Sequence, residues 1–276
     1  MNHPRTKMTA SSGDERFESG AQAYADYLKT PEGRLRSDLT FANLEDFLPR
    51  PQATNSPRAL DIGCGTGAAA VRLARLGFDV TLLDTSRAML DIAKRTAQEA
   101  GAADKLTLHQ ASASELSTLF QPRSFDVILC HNTFEYVDDP LLVLRGAACA
   151  LRDSSSILSI LVRNQAGEVF KAALQAADLA AADANLTAEW AQESLYGGRV
   201  RLFTSESMQA PLKAAALATI AERGVRVLAD YLPPQLSRSA EYDRIFELER
   251  KLGRRPEYAA VARYTHCLAR RAGDGE

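Results

Sequence analysis

Cysteine is scarce and scattered in this sequence. Its 276 residues hold four, Cys64, Cys130, Cys149 and Cys267, with no CxxC pair and no histidine at a ligand spacing from them. This excludes a disulfide framework and speaks against a zinc site; a reduced, cytoplasmic protein without metal is expected. Long apolar runs are missing too, so no membrane span is expected. Nor does one sign of charge dominate: 33 Lys/Arg face 35 Asp/Glu, for a net charge of −2. That excludes a polybasic nucleic-acid binder and an acidic tail protein as descriptions of the whole chain. The stretch from Leu195 to Glu276 is modestly basic, 14 Lys/Arg against 10 Asp/Glu, which fits a solvated face as well as a partner surface. Residues 1–15 are polar and lack the apolar stretch of a secretion signal; a disordered tail is expected there.

What is present is a 46% hydrophobic composition, enough for one sizeable core. Residues 16–56 read as two helices and a linker, PRPQATNSP, rich in turn formers. Strand and helix then alternate. Short apolar runs at Ala59–Ile62, Asp79–Leu83, Lys105–His109, Phe125–Cys130 and Ile157–Val162 are separated by helical patterns. Five strands with helical crossovers predict a doubly wound parallel sheet over residues 57–163. The rhythm breaks after that. Residues 164–205 read as an alanine-rich helical cap insertion with a short extended end. Residues 206–276 read as the C-terminal part of the same sheet: a helix from Ser205 to near Arg223, a strand Val225–Tyr231, a helix Ala240–Leu252 and a last strand Ala259–Ala269.

The first strand ends in Asp61-Ile62-Gly63-Cys64-Gly65-Thr66-Gly67, and a helical pattern follows at once. Strand, glycine turn and helix make a nucleotide-type site at the carboxyl edge of a sheet. The glycines alone are weakly specific, and through Ala68 they satisfy the loose dinucleotide pattern. Asp61 sharpens them. A pyrophosphate has no use for a carboxylate there, whereas a ligand bearing an ammonium group has. Asp84 ends the second strand, 23 residues on, where a carboxylate accepts hydrogen bonds from ribose hydroxyls. The plainer alternative is that each aspartate only caps the helix after it.

LDIGCGTG followed by LLDTSRAMLDIAK resembles the class I S-adenosylmethionine-dependent methyltransferases. The resemblance implies a Rossmann-like seven-stranded sheet, mostly parallel with one antiparallel strand, with N-terminal helices and a helical cap. It implies S-adenosylmethionine as cofactor, held by Asp61, Gly63, Cys64, Gly65 and Asp84. It places Ser112 and Ala113 against the adenine, and His131 to Tyr136 at the reactive end. The flanks YLKTPEGRLRSDL, GVRVLADYL, YDRIFELER, PEY and RYTH are similar to the bacterial tRNA 5-carboxymethoxyuridine methyltransferase family. That similarity adds Arg36 and His131 to the cofactor contacts. It implies tRNA as partner and a carboxylate on the wobble uridine as methyl acceptor. One stretch departs: a lysine-rich segment of that family reads LYGGRVRLFT here, with Arg199 and Arg201 as its basic residues. Fewer phosphate contacts follow, so a small-molecule O- or N-methyltransferase stays open, as does a catalytically silent cofactor-binding partner protein.

A carboxylate acceptor is already anionic and needs alignment rather than a base. His131 is then either a site residue or a structural one. Arginine is the residue suited to grip the acceptor, and Arg201 and Arg226 are the substrate-binding candidates. Tyr196 and Tyr231 are candidates for lining the pocket, and Trp190 for packing.

Overall fold

The computed structural model describes residues 12–50, 56–193, 195–233, 235–236 and 238–273. Two helices open it, α1 (Ser12–Lys29) and α2 (Pro31–Glu45). Pro31 suits the first position of α2, where its missing N–H costs nothing, and the Thr30 hydroxyl accepts from the Gly33 N–H at 3.1 Å. The alternating part follows as β1 (Arg58–Ile62), α3 (Ala68–Arg75), β2 (Asp79–Asp84), α4 (Arg87–Glu99), β3 (Leu106–Gln110), α5 (Leu116–Leu119), β4 (Val127–His131), α6 (Pro140–Ala150) and β5 (Ile157–Arg163). Then come α7 (Gln165–Phe170), α8 (Leu179–Asn185), β6 (Trp190–Gln192) and β7 (Arg199–Arg201). The chain closes with α9 (Ser205–Ala214), β8 (Leu217–Val225), α10 (Tyr242–Gly253), α11 (Pro256–Ala259) and β9 (Tyr264–Arg271).

Seven strands form one sheet in the order β3-β2-β1-β4-β5-β9-β8, in which β9 runs antiparallel to both neighbours. The order reverses between β1 and β4, which pair in parallel at Leu60↔Ile128. A crevice opens above such a reversal, at the carboxyl ends of the strands. Side chains alternate across the sheet. Leu60, Ile62, Ile128, Cys130 and Ile160 bury one face together with α6 and α9 residues such as Val143 and Met208. Ala59, Leu82, Leu129 and Leu268 bury the other against Phe41, Leu73 and Leu90. A third cluster joins Leu35 and Leu39 of α2 to Val225, Ile245 and Tyr264. It ties the N-terminal helices to the antiparallel end.

The structure revises the C-terminal expectations. The helix expected to reach Arg223 stops at Ala214, and β8 starts at Leu217. Ala216 turns the chain at φ +55°, and pairing with β9 at eight of the nine β8 residues overrides the helical preference of the alanines. The strand expected over Val225–Tyr231 ends at its first residue. Arg226 adopts φ +61°, and the buried Glu249 carboxylate accepts from the N–H groups of Val227, Leu228 and Ala229 at 2.6–2.9 Å. The insertion at 164–205 is not all helix; β6 and β7 form a two-stranded antiparallel ribbon within it. Of the tail expected over 1–15, residues 12–15 open α1 and the rest lies outside the described residues, as do 51–55 of the linker. Among the described residues, no helix is long and apolar enough to cross a membrane, and no group of three or more His, Cys, Asp or Glu is placed to hold a metal.

Candidate active site

The glycine turn after β1 works because its backbone is left-handed. Gly63 and Gly65 adopt φ +64° and +53°, a region that costs an L side chain about 1 kcal/mol or more. A Cβ on Gly63 would also lie 2.3 Å from the Thr133 Oγ1. The turn is fastened to the end of β2: the Leu83 carbonyl accepts from Gly63 at 2.7 Å and Cys64 at 3.1 Å. Asp84 closes it. Its Oδ2 accepts from the Gly65 N–H at 2.8 Å and its Oδ1 from the Ser86 N–H at 2.9 Å. These two bonds hold the carboxylate at the lip of the crevice. Ser86, rather than Asp84, caps α4, with its Oγ accepting from Met89.

Asp61 is 3% exposed, and its carboxylate has no hydrogen-bond partner among the described residues. Burial, and then the neighbouring Asp84, push its carboxyl up to about 8. An uncompensated buried carboxylate is costly unless a cation meets it. It lines a small side pocket with Arg36, Gly63, Cys64 and His131. It is therefore not a helix cap. An orphaned acid in a glycine cradle fits a ligand with an ammonium group, as S-adenosylmethionine has.

The side pocket adjoins a cavity of about 690 Å³. Arg36, Gly63, Gly65, Asp84, Ser112, Ala113 and His131 all line it, so the structure brings these expected residues together. The Ser112 hydroxyl caps the turn at 113–115, and Glu115 returns to the Ser112 N–H at 2.7 Å. Helix α1 roofs the cavity. Phe17 meets Tyr136 and Tyr196 edge-on, with centroids 5.0 and 5.1 Å apart. Glu18 accepts from the Ser86 hydroxyl at 2.8 Å and the Ala88 N–H at 3.1 Å. Arg36 is buried among Tyr24, Tyr27 and Tyr264, and donates to the Tyr24 hydroxyl at 2.9 Å.

Two expected residues fall elsewhere. Arg226 does not line the cavity: Asp230 holds its guanidinium, which also donates to the Tyr27 hydroxyl at 3.0 Å. Arg201 is on the ribbon, over the Trp190 ring at 5.1 Å with Arg199 at 4.9 Å. Tyr196 lines the cavity and Tyr231 does not; its hydroxyl donates to the Gly167 carbonyl at 3.4 Å.

Like Arg16, Arg163 is a lining guanidinium that the sequence expectations do not single out. It ends β5, opposite Tyr264 of β9, and its contacts to Glu168 and Glu193 are long, 3.4 and 3.5 Å. Its signal was legible: an arginine closing a central apolar strand, where doubly wound sheets place ligands. Tyr264 had no such signal, because only the β5–β9 register sets it there. Burial raises the Tyr264 phenol, but Arg36, Arg226, Arg163 and Arg263 outweigh that and bring it down to about 8.

The methyltransferase domain family matches residues 54–246. The chain is 28% identical over 269 residues to the tRNA 5-carboxymethoxyuridine methyltransferase of Escherichia coli (strain K12), covering 94% of this chain and 97% of that protein. It is 32% identical over 122 residues to the ubiquinone biosynthesis O-methyltransferase of Xanthomonas campestris pv. campestris (strain B100), covering 44% of this chain and 50% of that one. Its fold matches the crystal structure of an S-adenosylmethionine-dependent methyltransferase from Mesorhizobium loti with a TM-score of 0.54 at 18% identity, over 84% of this chain and 98% of that one. With this cradle, this sheet order and these matches, the chain belongs to the methyltransferase domain family and is an S-adenosylmethionine-dependent methyltransferase.

Proposed function

We propose that the protein methylates the carboxylate of a modified wobble uridine in tRNA. The observation that carries this reading is the extent of the likeness to the E. coli enzyme, 94% of this chain. The likeness to the ubiquinone enzyme stops at 44%. The longer match takes in nearly the whole chain, flanks included, and the shorter one less than half of it.

The bound cofactor supplies an electrophilic methyl group on a sulfonium. The chain's own residues bind and orient. Asp61 pairs with the cofactor's ammonium group, and Asp84 accepts from its ribose. Gly63, Cys64 and Gly65 let the backbone approach; Ser112 and Ala113 flank the base; Arg36 and His131 border the amino-acid end. Arg163, rather than Arg226, faces the acceptor carboxylate as a two-pronged donor. Phe17, Tyr136 and Tyr196 exclude water above it. Arg199 and Arg201, braced on Trp190, meet the tRNA backbone, so the protein works in the cytoplasm, where tRNA is.

The test is nucleoside analysis of tRNA from a deletion strain, with transfer of labelled methyl to that tRNA by the purified protein. Loss of the methyl ester in the strain and its restoration in vitro are expected; an unchanged ester level rejects the reading. A second reading, a small-molecule acceptor, is favoured by the aromatic roof over the cavity. Turnover of a small-molecule extract with none of tRNA selects it.

A further inference from the structure

We propose that Ser159 and His266 are positioning residues that hold His131 as the tautomer with its proton on Nδ1, a hydrogen-bond donor toward the cavity and not a base. The three side chains form a chain across β4, β5 and β9. His131 Nε2 lies 2.8 Å from Ser159 Oγ, and Ser159 Oγ lies 2.7 Å from His266 Nε2. Ser159 and His266 are both 0% exposed, while the His131 ring borders the cavity and the side pocket of Asp61.

One hydroxyl proton cannot serve two imidazole nitrogens. Two donating rings would leave the buried Ser159 hydroxyl proton without an acceptor, since its side-chain partners among the described residues are His131 and His266; Ser159 therefore donates to one ring, and the other ring donates to Ser159. If His131 donated, His266 would accept on Nε2 and carry its proton on Nδ1. That nitrogen is buried and has no partner among the described residues. A buried N–H without an acceptor is rarer in proteins than an under-used acceptor. The His266 proton therefore sits on Nε2 and is donated to Ser159. Ser159 in turn donates to His131 Nε2, which leaves the His131 proton on Nδ1.

Doubly protonated imidazoles would escape this choice, but the surroundings forbid them. The rings meet edge-on with centroids 5.6 Å apart. Burial, then Arg36 of α2, keep His131 neutral; burial, then His131 and Arg223 of β8, keep His266 neutral. A neutral N–H donor suits an acceptor oxygen that arrives anionic and is wrong for one that must lose a proton. This consequence rests on the carboxylate reading above. The tautomer does not.

The test uses the full-length protein labelled with ¹⁵N-histidine, with S-adenosylhomocysteine bound, read by long-range ¹H–¹⁵N correlation. The expected pattern is His131 protonated on Nδ1 and His266 on Nε2. Ser159→Ala is expected to turn the His131 signal into a tautomer mixture. It should lower kcat on tRNA about 10- to 100-fold through loss of alignment. Ser159→Thr, which keeps the hydroxyl, restores both. A wild-type His131 protonated on Nε2 overturns the proposal, as does an unchanged His131 tautomer in Ser159→Ala. The wild-type spectrum needs neither a folded variant nor an acceptor, so failure of the tRNA reading shows in the turnover assay alone.

Discussion

At the scale of single residues, the site is governed by two aspartates with opposite situations. Asp84 is held by two backbone donors, whereas the Asp61 carboxylate is buried without a hydrogen-bond partner among the described residues. The proton on Asp61 gives a signed prediction. Its folded value of about 8 stands above the unfolded value near 4. Stability tied to that proton is full below about pH 4 and is lost as pH rises toward 8. His131 has the opposite sign. Burial and Arg36 push it down to about 3, so its contribution is full above about pH 6.5 and is lost as pH falls. His266, kept neutral by burial and then by His131 and Arg223, adds to the sign of His131 below about pH 6.5, and Asp61 sets the slope above that. The unliganded protein is expected to melt at lower temperature as pH goes from about 6.5 to 8, and Asp61→Asn to flatten that decline. Thermal melts across this range check it. Cofactor binding near neutral pH is expected to release a proton, because an ammonium group favours the ionised carboxylate. Calorimetry in buffers of different ionisation heat measures that proton, and Asp61→Asn should abolish its release. For Asp84→Ala, cofactor affinity is expected to fall by about 1–3 kcal/mol; an affinity unchanged by calorimetry would remove Asp84 from the site.

At the scale of elements, the crevice needs strands that end together and a helix that covers them. Parallel pairing sets the ends of β1, β2 and β4 side by side, at Ile62, Asp84 and His131. Helix α1 supplies the roof and is latched to the start of α4 through Glu18. Glu18→Ala removes a carboxylate that serves two donors there, a loss of about 1 kcal/mol by analogy with helix caps. Faster amide exchange in α1 and cofactor binding weakened about 5-fold are expected. Hydrogen exchange and calorimetry read the two effects, and exchange equal to wild type would show that the latch does not hold the roof. Local signals placed most of these elements. Pro31 marked the start of α2, and the glycine turn marked the step from β1 to α3. They failed at Leu217–Val225, where a strand is formed from residues whose alanine content favours helix. Pairing with β9 is a long-range contact that no local window contains.

At the scale of the molecule, the chain carries a net charge of −2, so the proposed tRNA binding calls for a local face rather than an overall field. Arg199 and Arg201 on the β6–β7 ribbon form such a face, braced by Trp190. The double substitution Arg199→Ala, Arg201→Ala is expected to weaken tRNA binding and to reduce its dependence on salt by about one phosphate contact per arginine. Cofactor affinity should not change. Filter binding over a salt series decides it, and an unaltered slope would place the tRNA elsewhere.

The methyl donor was determined by sequence alone. Asp61, the glycines and Asp84 lie within 24 residues, and their geometry follows from one strand, one turn and the next strand. The acceptor side was decided by tertiary structure. Arg163, Tyr264, Ser159 and His266 come from β5 and β9, and β9 arrives about a hundred residues after β5. Sequence offered Arg201 and Arg226 for the acceptor because charge is visible in a sequence and partnership is not. Asp230, only four residues from Arg226, holds that guanidinium once the chain turns back at φ +61°. Arg163 keeps only long contacts to its carboxylates and lines the cavity beside Arg16 and Arg36. Residues close in sequence take their geometry from local backbone rules, whereas those joined across a sheet meet only when strand order and register are set.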